Sequence, residues 1–264
     1  MITIPQETIK EYQNNGAVLI PGLFSDWIPA ITKGIEFNLN NPSQYAAENS
    51  KKNQQGRFFD DYCNWTRISE FEQVVKKSQA AKVAAMLMSS NNVQFFHDHV
   101  LYKSAGSNTD TPWHQDDPYY FTQGDMSVSF WIPVDPIMNT SLRVIAGSHK
   151  WDKPVLPTRW LSGEDFYTSN KDFIPVPDPD KNPELFPTLE WNMNPGDAIA
   201  FHFKAVHGAK GNNTEAKRRV LSLRFIGDDI RYAERPGKTS PPFPGHNMIH
   251  GQKLRNDWFP FIKF

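Results

Sequence analysis

A mainly β chain with flanking helices, closed as a double-stranded β-helix or jelly roll, is what three features of this sequence predict. The first 90 residues read mostly as helix. Beyond Asn91, short runs of β-branched and aromatic residues recur between Pro, Gly and Asn turns, the pattern of antiparallel strands. Among those runs sits a His-x-Asp pair, His114 and Asp116, and the mouth of a jelly roll is where such a fold holds a ligand.

Residues 5–15 form an amphipathic helix that Gly16 closes. Ala17-Val-Leu-Ile20 follows as a strand ending at Pro21-Gly22. A longer helix begins after Ser25, with Trp27, Ile31, Ile35 and Leu39 on one face. Residues 41–56, rich in Asn, Gln and Lys, read as an exposed loop. Ser78 is a natural N-cap for a buried helix over 79–88. Strands are predicted over 93–103, 127–134, 142–145, 198–203 and 219–226. Residues 151–190 carry many prolines and little periodicity, so they read as a long insertion, and loops of that size are commonly lids. The segment 231–264 is irregular. One domain over 1–264 is expected, with helical support in 1–90 and the jelly-roll core in 91–230.

Composition narrows the function. Net charge is −1 and 22% of residues are charged, which gives no electrostatic case for nucleic acid or an anionic membrane and leaves a small-molecule substrate. The lone cysteine, Cys63, reads as an inert thiol and fits a reducing compartment. No basic n-region opens the chain and no run of 18 apolar residues occurs, so a soluble, cytoplasmic protein is expected.

His114 and Asp116 are two apart, and on a strand such side chains share a face. Together they supply two thirds of the 2-His-1-carboxylate triad that holds Fe(II) and leaves positions open. His207, after the Asn-Pro-Gly-Asp turn at 194–197 and on the strand that also carries His202, is the third candidate. Its odd offset from His202 sends His202 to the other face. His97 and His99 share a face and form a weaker alternative pair. An iron oxygenase that uses 2-oxoglutarate needs a guanidinium fork for the far carboxylate, and Arg218 or Arg219 can supply it. Trp113, Tyr119 and Tyr120 flank the ligands, so they either wall the substrate slot or pack the mouth of the roll.

Several short stretches now occur in a telling order: Pro112-Trp-His-Gln-Asp116, Ala146-Gly-Ser-His-Lys150, Pro195-Gly-Asp-Ala198 and His207-Gly-Ala, followed by Asn212 and Arg218. In this the chain resembles the phytanoyl-CoA dioxygenase family of Fe(II)/2-oxoglutarate oxygenases, from about Gly16 to near residue 264. The resemblance implies Arg218 rather than Arg219 for the cosubstrate, and places Lys103, Trp131 and Ser222 beside it. It also implies Fe(II), 2-oxoglutarate and O₂ as cofactors and hydroxylation of a small metabolite, with release of succinate and CO₂. Asn139-Thr-Ser-Leu142 departs from relatives that carry Asn-Gly there. The competing readings are a non-catalytic jelly-roll binding protein and a redox-neutral, cupin-type metal enzyme.

Overall fold

Alternation of side chains along the strands builds two facing sheets, with helices stacked on the outer one. A computed structural model describes residues 3–50, 55–139, 141–168 and 171–264. The helical part comprises α1 (Gln6–Asn15), β1 (Ala17–Ile20), α2 (Ile28–Asn40), β2 (Ala47–Glu48), β3 (Phe58–Tyr62), α3 (Ser69–Lys77) and α4 (Ala80–Met88). The core adds β4 (Gln94–Lys103), β5 (Thr111–His114), β6 (Thr122–Gln123), β7 (Ser127–Pro133), β8 (Leu142–Ile145) and β9 (Thr188–Leu189). β10 (Ala198–Phe201), β11 (His207–Ala209), β12 (Arg218–Ile226) and β13 (Arg231–Tyr232) complete it.

The larger sheet runs β1-β10-β7-β12-β4-β3-β2 and the smaller β5-β11-β8-β9, while β13 pairs with β6. This is the double-stranded β-helix. On the outer face of the large sheet, Phe130, Ile132, Leu221 and Leu223 pack with Phe71, Val74 and Ile31 from the helices. The intervening residues Trp131 and Val220 face the small sheet and pack with Leu142 and Val144. A fully buried Phe or Leu contributes about 1.5–3 kcal/mol, so this double-sided burial is what makes the sheet a rigid mount.

Gly16 ends α1 in the left-handed conformation (φ 76°), and a Cβ there would meet the His149 ring. A single turn of 3-10 helix, Ser25–Trp27, precedes α2, which buries Ile31 and Ile35 as the spacing requires. Ser78 does accept the Ala80 amide (3.3 Å) at the start of α4. Two elements escape a pattern reading. β3 carries Asp60 and Asp61, poor strand formers; both are buried, Asp61 bonded by Asn38 and Ser43 and Asp60 by Asn49 and His99. α3 has only Phe71, Val74 and Val75 to mark its buried stripe. The predicted loop 41–56 holds the short β2, and residues 51–54 lie outside the described residues. So do Thr140, in the departing turn where Asn139 takes φ 60°, and residues 169–170 of the insertion. Among the described residues no helix is long and apolar enough to cross a membrane.

Candidate active site

β5 and β11 lie side by side at the mouth of the roll, with His114 directly opposite His207. Three residues of β5 span what two span on β11, a bulge at Pro112-Trp113 that lets both Thr111 and His114 face inward. The strand ends at His114. Asp116 has helical φ/ψ (−70°, −41°) and opens the 3-10 turn Asp117–Tyr119. The pair therefore converges through a strand end and a turn, not through strand alternation as expected. Likewise His202 and His207 do not share a strand. β10 ends at Phe201, and the chain crosses to the other sheet before β11.

That crossing is held by the recurring short stretches. Ser148 Oγ accepts the Val206 amide (2.8 Å) and donates to Ile145 O (2.7 Å), while Gln115 reaches Lys204 O (2.6 Å). Asp197 fixes the preceding turn, accepting the amides of Gly22 and Asn194, both at 2.8 Å. His202 spends both ring nitrogens, donating from Nε2 to Asp125 O (2.6 Å) and accepting the Lys204 amide (3.0 Å). It is structural, for hydrogen-bonding reasons and not for the phase of a strand.

His114, Asp116 and His207 are buried, and their candidate ligand atoms lie within 4.8 Å of one another. The histidine Nε2 atoms stand 3.8 Å and 3.9 Å from Asp116 Oδ1. Each Nδ1–H donates to a backbone carbonyl, His114 to Pro112 (2.7 Å) and His207 to Ala205 (2.9 Å). Those bonds fix the tautomer and leave both Nε2 lone pairs aimed at the carboxylate. Asp116 Oδ2 is held from behind by Arg224 Nε (3.2 Å) and Ser129 Oγ (3.4 Å). Burial drives the His114 pKa down to about 3, and His207 adds to the shift. Burial likewise lowers His207. For Asp116 burial acts to raise the carboxyl, but Arg224 and the two imidazoles outweigh it and hold it well below the usual range. All three groups thus stand in their metal-binding protonation states, and the donor set of two imidazoles and one carboxylate fits a divalent iron. Among the described residues no other such group of three occurs, and the His97–His99 pair lacks a third donor.

The three ligands open on a cavity of about 350 Å³ between the sheets. At one end Lys103 and Arg218, opposite each other on β4 and β12, are both buried. Burial, with Arg218 close by, pushes the Lys103 pKa from 10.5 down to about 6, and burial lowers Arg218 to about 10. Arg218 donates to Lys210 O (2.9 Å), and Asn212 pins this loop through Ala216 O (2.6 Å). Arg219, on the other face, is occupied by Asp135 and Glu36, both at 2.6 Å. Trp131 and Ser222 line the cavity as directly opposed neighbours.

The flanking aromatics divide. Trp113 points away from His114, packs with Ile145, Val155 and Val206 and lies under Arg143 (4.9 Å). It does not line the cavity, because neighbours on a strand face opposite sides, so the expectation that it walls the substrate is corrected. Tyr119 lines the cavity but its hydroxyl is spent on the insertion, donating to Thr158 O (2.6 Å) and accepting its amide (2.9 Å). Tyr120 lines it too, with Arg224 over its ring at 5.9 Å. Sequence reasoning missed Arg224, although its even offset from Arg218 on one strand puts both on the inner face. It also missed Trp160, which the insertion sets 5.0 Å from the His114 ring, and for which no local signal exists.

A family model described as phytanoyl-CoA dioxygenase (PhyH) matches residues 12–220. A probable phytanoyl-CoA dioxygenase of Caenorhabditis elegans is 32% identical over 135 residues, 48% of this chain and 40% of that protein. The peroxisomal phytanoyl-CoA dioxygenase of Homo sapiens is 29% identical over 153 residues, 55% of this chain and 43% of the relative. Those matches take in less than half the length of either relative. Among solved structures, the non-heme alpha-ketoglutarate-dependent carbocyclase SnoK from nogalamycin biosynthesis superposes with a TM-score of 0.74 at 18% identity. That superposition covers 98% of this chain and 97% of SnoK, and shows a shared fold.

Proposed function

The chain belongs to the phytanoyl-CoA dioxygenase family, and from that premise we propose that it is an Fe(II)- and 2-oxoglutarate-dependent dioxygenase that hydroxylates a small molecule. His114, Asp116 and His207 hold the metal in this reading. Arg218, with Lys103, Trp131 and Ser222, receives 2-oxoglutarate. The observation that carries it is the pairing of a buried two-imidazole, one-carboxylate donor set with a buried guanidinium and a buried amine in one cavity. A guanidinium fork with an amine beside it matches the far carboxylate of 2-oxoglutarate in shape and charge, and Asp110 acts on both groups from nearby.

Bound iron, with 2-oxoglutarate and O₂, would supply the oxidising power, yielding succinate, CO₂ and one oxygen atom for a substrate C–H bond. The chain's own work is placement. Backbone carbonyls of Pro112 and Ala205 orient the imidazoles, Arg224 and Ser129 orient Asp116, and Arg218 fixes the cosubstrate's distance from the metal. Trp160 and Tyr119 close the insertion over the mouth and keep water out. We read the whole chain as one such domain. With a single cysteine no internal disulfide can form, which fits a reducing compartment such as the cytoplasm. Fe(II) and 2-oxoglutarate added without oxygen should give a visible charge-transfer band, and oxygen should then release succinate. A chain that binds Fe(II) yet shows neither band nor succinate is not this enzyme.

A further inference from the structure

On the wall that β3 and β4 contribute to the cavity stands an acid–imidazole pair that the proposed reaction does not use. A bulge at Phe96 sets the phase of β4 and turns His99, Leu101 and Lys103 inward on alternate residues. On β3, Phe58, Asp60 and Tyr62 face the same space, with Tyr62 opposite His99. Asp60 is buried; it accepts the His99 Nε2–H (2.7 Å), and Asn49 Nδ2 donates to its other oxygen. Among the described residues no lysine or arginine bridges to this carboxylate. Because a carboxylate only accepts, the ring proton sits on Nε2 and leaves Nδ1 a bare acceptor. That nitrogen has no hydrogen-bond partner among the described residues, and unlike the sealed His97 Nε2 it opens on the cavity. The Trp160 ring lies 6.5 Å from the His99 ring and 5.0 Å from His114, so one indole spans the gap between this acceptor and the metal position.

An open acceptor with a carboxylate behind it selects for a donor. A carboxylate or carbonyl would set its lone pairs against Nδ1 and face the charge of Asp60 as well. A hydroxyl satisfies the nitrogen, but a protonated amine also meets the negative charge relayed through the ring. The surroundings favour the cation too. Tyr62 stands edge-on to His99 (5.7 Å) and stacks on Tyr45 (5.1 Å), and both line the cavity with their π faces available. The other cations at the cavity are occupied or distant: Arg224 holds Asp116, and the exposed Arg159 lies over Phe166 (5.3 Å). Resting on the dioxygenase reading, we infer that the substrate is an amine whose N–H is held by His99 Nδ1, with Asp60 as the positioning residue behind the ring. His99 is four residues along β4 from Lys103, roughly 13 Å of strand, so this anchor is separate from the cosubstrate's carboxylate cradle. The carbon to be oxidised is then set apart from the nitrogen by about the width of the Trp160 ring.

The test is binding of benzylamine, benzyltrimethylammonium, benzyl alcohol and benzoate to the full chain loaded with Zn(II) and 2-oxoglutarate, read by ligand-observed NMR. Benzylamine should bind about tenfold tighter than benzyl alcohol, the difference a charge-assisted bond makes over a neutral one, with benzoate weaker still. His99→Phe should bring amine and alcohol down together. Asp60→Asn should remove the amine's advantage and leave the alcohol within about twofold; a loss shared equally by all four ligands would make Asp60 merely structural and overturn the inference. Benzoate binding as well as the amine overturns it, because the ring is then an imidazolium serving an anion. Benzyltrimethylammonium binding as well as the amine does the same, because aromatic faces alone then hold the cation. So does amine binding that His99→Phe leaves unchanged, since the nitrogen then sits elsewhere, for instance on the metal. If neither variant folds, the ranking on the wild-type chain decides. Because zinc supports no oxidation, this ranking stands or falls independently of the charge-transfer band that tests the dioxygenase reading.

Discussion

In the proposed cosubstrate site, Arg218 and Lys103 hold charge differently. Arg218 keeps its charge across the whole working range, whereas Lys103, with a pKa near 6, is largely neutral at pH 7 until an anion arrives. Arg218→Ala should cost on the order of 2–5 kcal/mol and raise the apparent constant for 2-oxoglutarate by about two orders of magnitude or more. Arg219→Ala, which breaks pairs to Asp135 and Glu36 on the opposite face, should instead lower stability and leave that constant nearly unchanged. Titrating 2-oxoglutarate against each variant checks both. Binding an anion raises the Lys103 pKa back towards 10.5, so binding takes up a proton between pH 6 and that value. Affinity should therefore weaken as pH rises through 7 to 9 and be flat below about 6. Lys103→Met should remove the slope; a slope that persists would assign it to another group.

The insertion and the strand ends form the next level. Tyr119 clamps Thr158 by both its amide and its carbonyl, and Gln115 accepts the Val155 amide (2.7 Å), so the residues flanking the metal also tie down the segment that covers it. Tyr119→Phe removes both partners of Thr158 and should cost about 1–2 kcal/mol locally. Amide exchange at Thr158 and neighbouring residues should speed up while the sheets remain protected. The same variant should raise the substrate constant and leave 2-oxoglutarate affinity within about twofold, a difference below roughly 0.5 kcal/mol. Unchanged exchange at Thr158 would mean that packing of Trp160 and Phe166 alone holds the insertion.

Over the entire molecule, four buried histidines are kept neutral: His97, His114, His202 and His207. His114 falls to about 3 and His202 to about 4, from an ordinary 6.5. Their folded pKa values are depressed, so the unfolded chain binds more protons below pH 6.5 and the metal-free fold weakens as pH drops from there towards 4. Asp98, raised to about 6 by burial, and Asp117, also raised, oppose this, but two carboxyls do not cancel four imidazoles. Tm of the metal-free chain should fall steadily across that window, and a flat profile would show that the rings are protonated in the fold. At neutral pH a metal present at 1,000 times its Kd should add about 4 kcal/mol. His207→Ala should lose that increment along with Fe(II) binding while remaining folded.

The chemistry of the site was legible in one dimension. His114, Asp116 and His207 are named by residue type and order, because a metal donor's identity is side-chain chemistry that sequence states directly, whereas the residues alone left Arg218 and Arg219 open and only the family resemblance chose between them. Strands such as β7 and β12 were legible for a related reason, since burial on both faces calls for runs of β-branched and aromatic residues. What the tertiary structure decided is everything that depends on where the chain turns. Asp116 reaches the metal position from a 3-10 turn, and His207 starts a new strand in the other sheet. Trp113 is on the wrong side of the strand to meet substrate, and Trp160 arrives from an insertion with no periodicity to read. Bulges at Pro112-Trp113 and Phe96 shift the phase of a strand by one residue, and a one-residue shift reverses which side chains face the cavity. Such shifts are fixed by pairing between strands distant in sequence, so no local pattern records them.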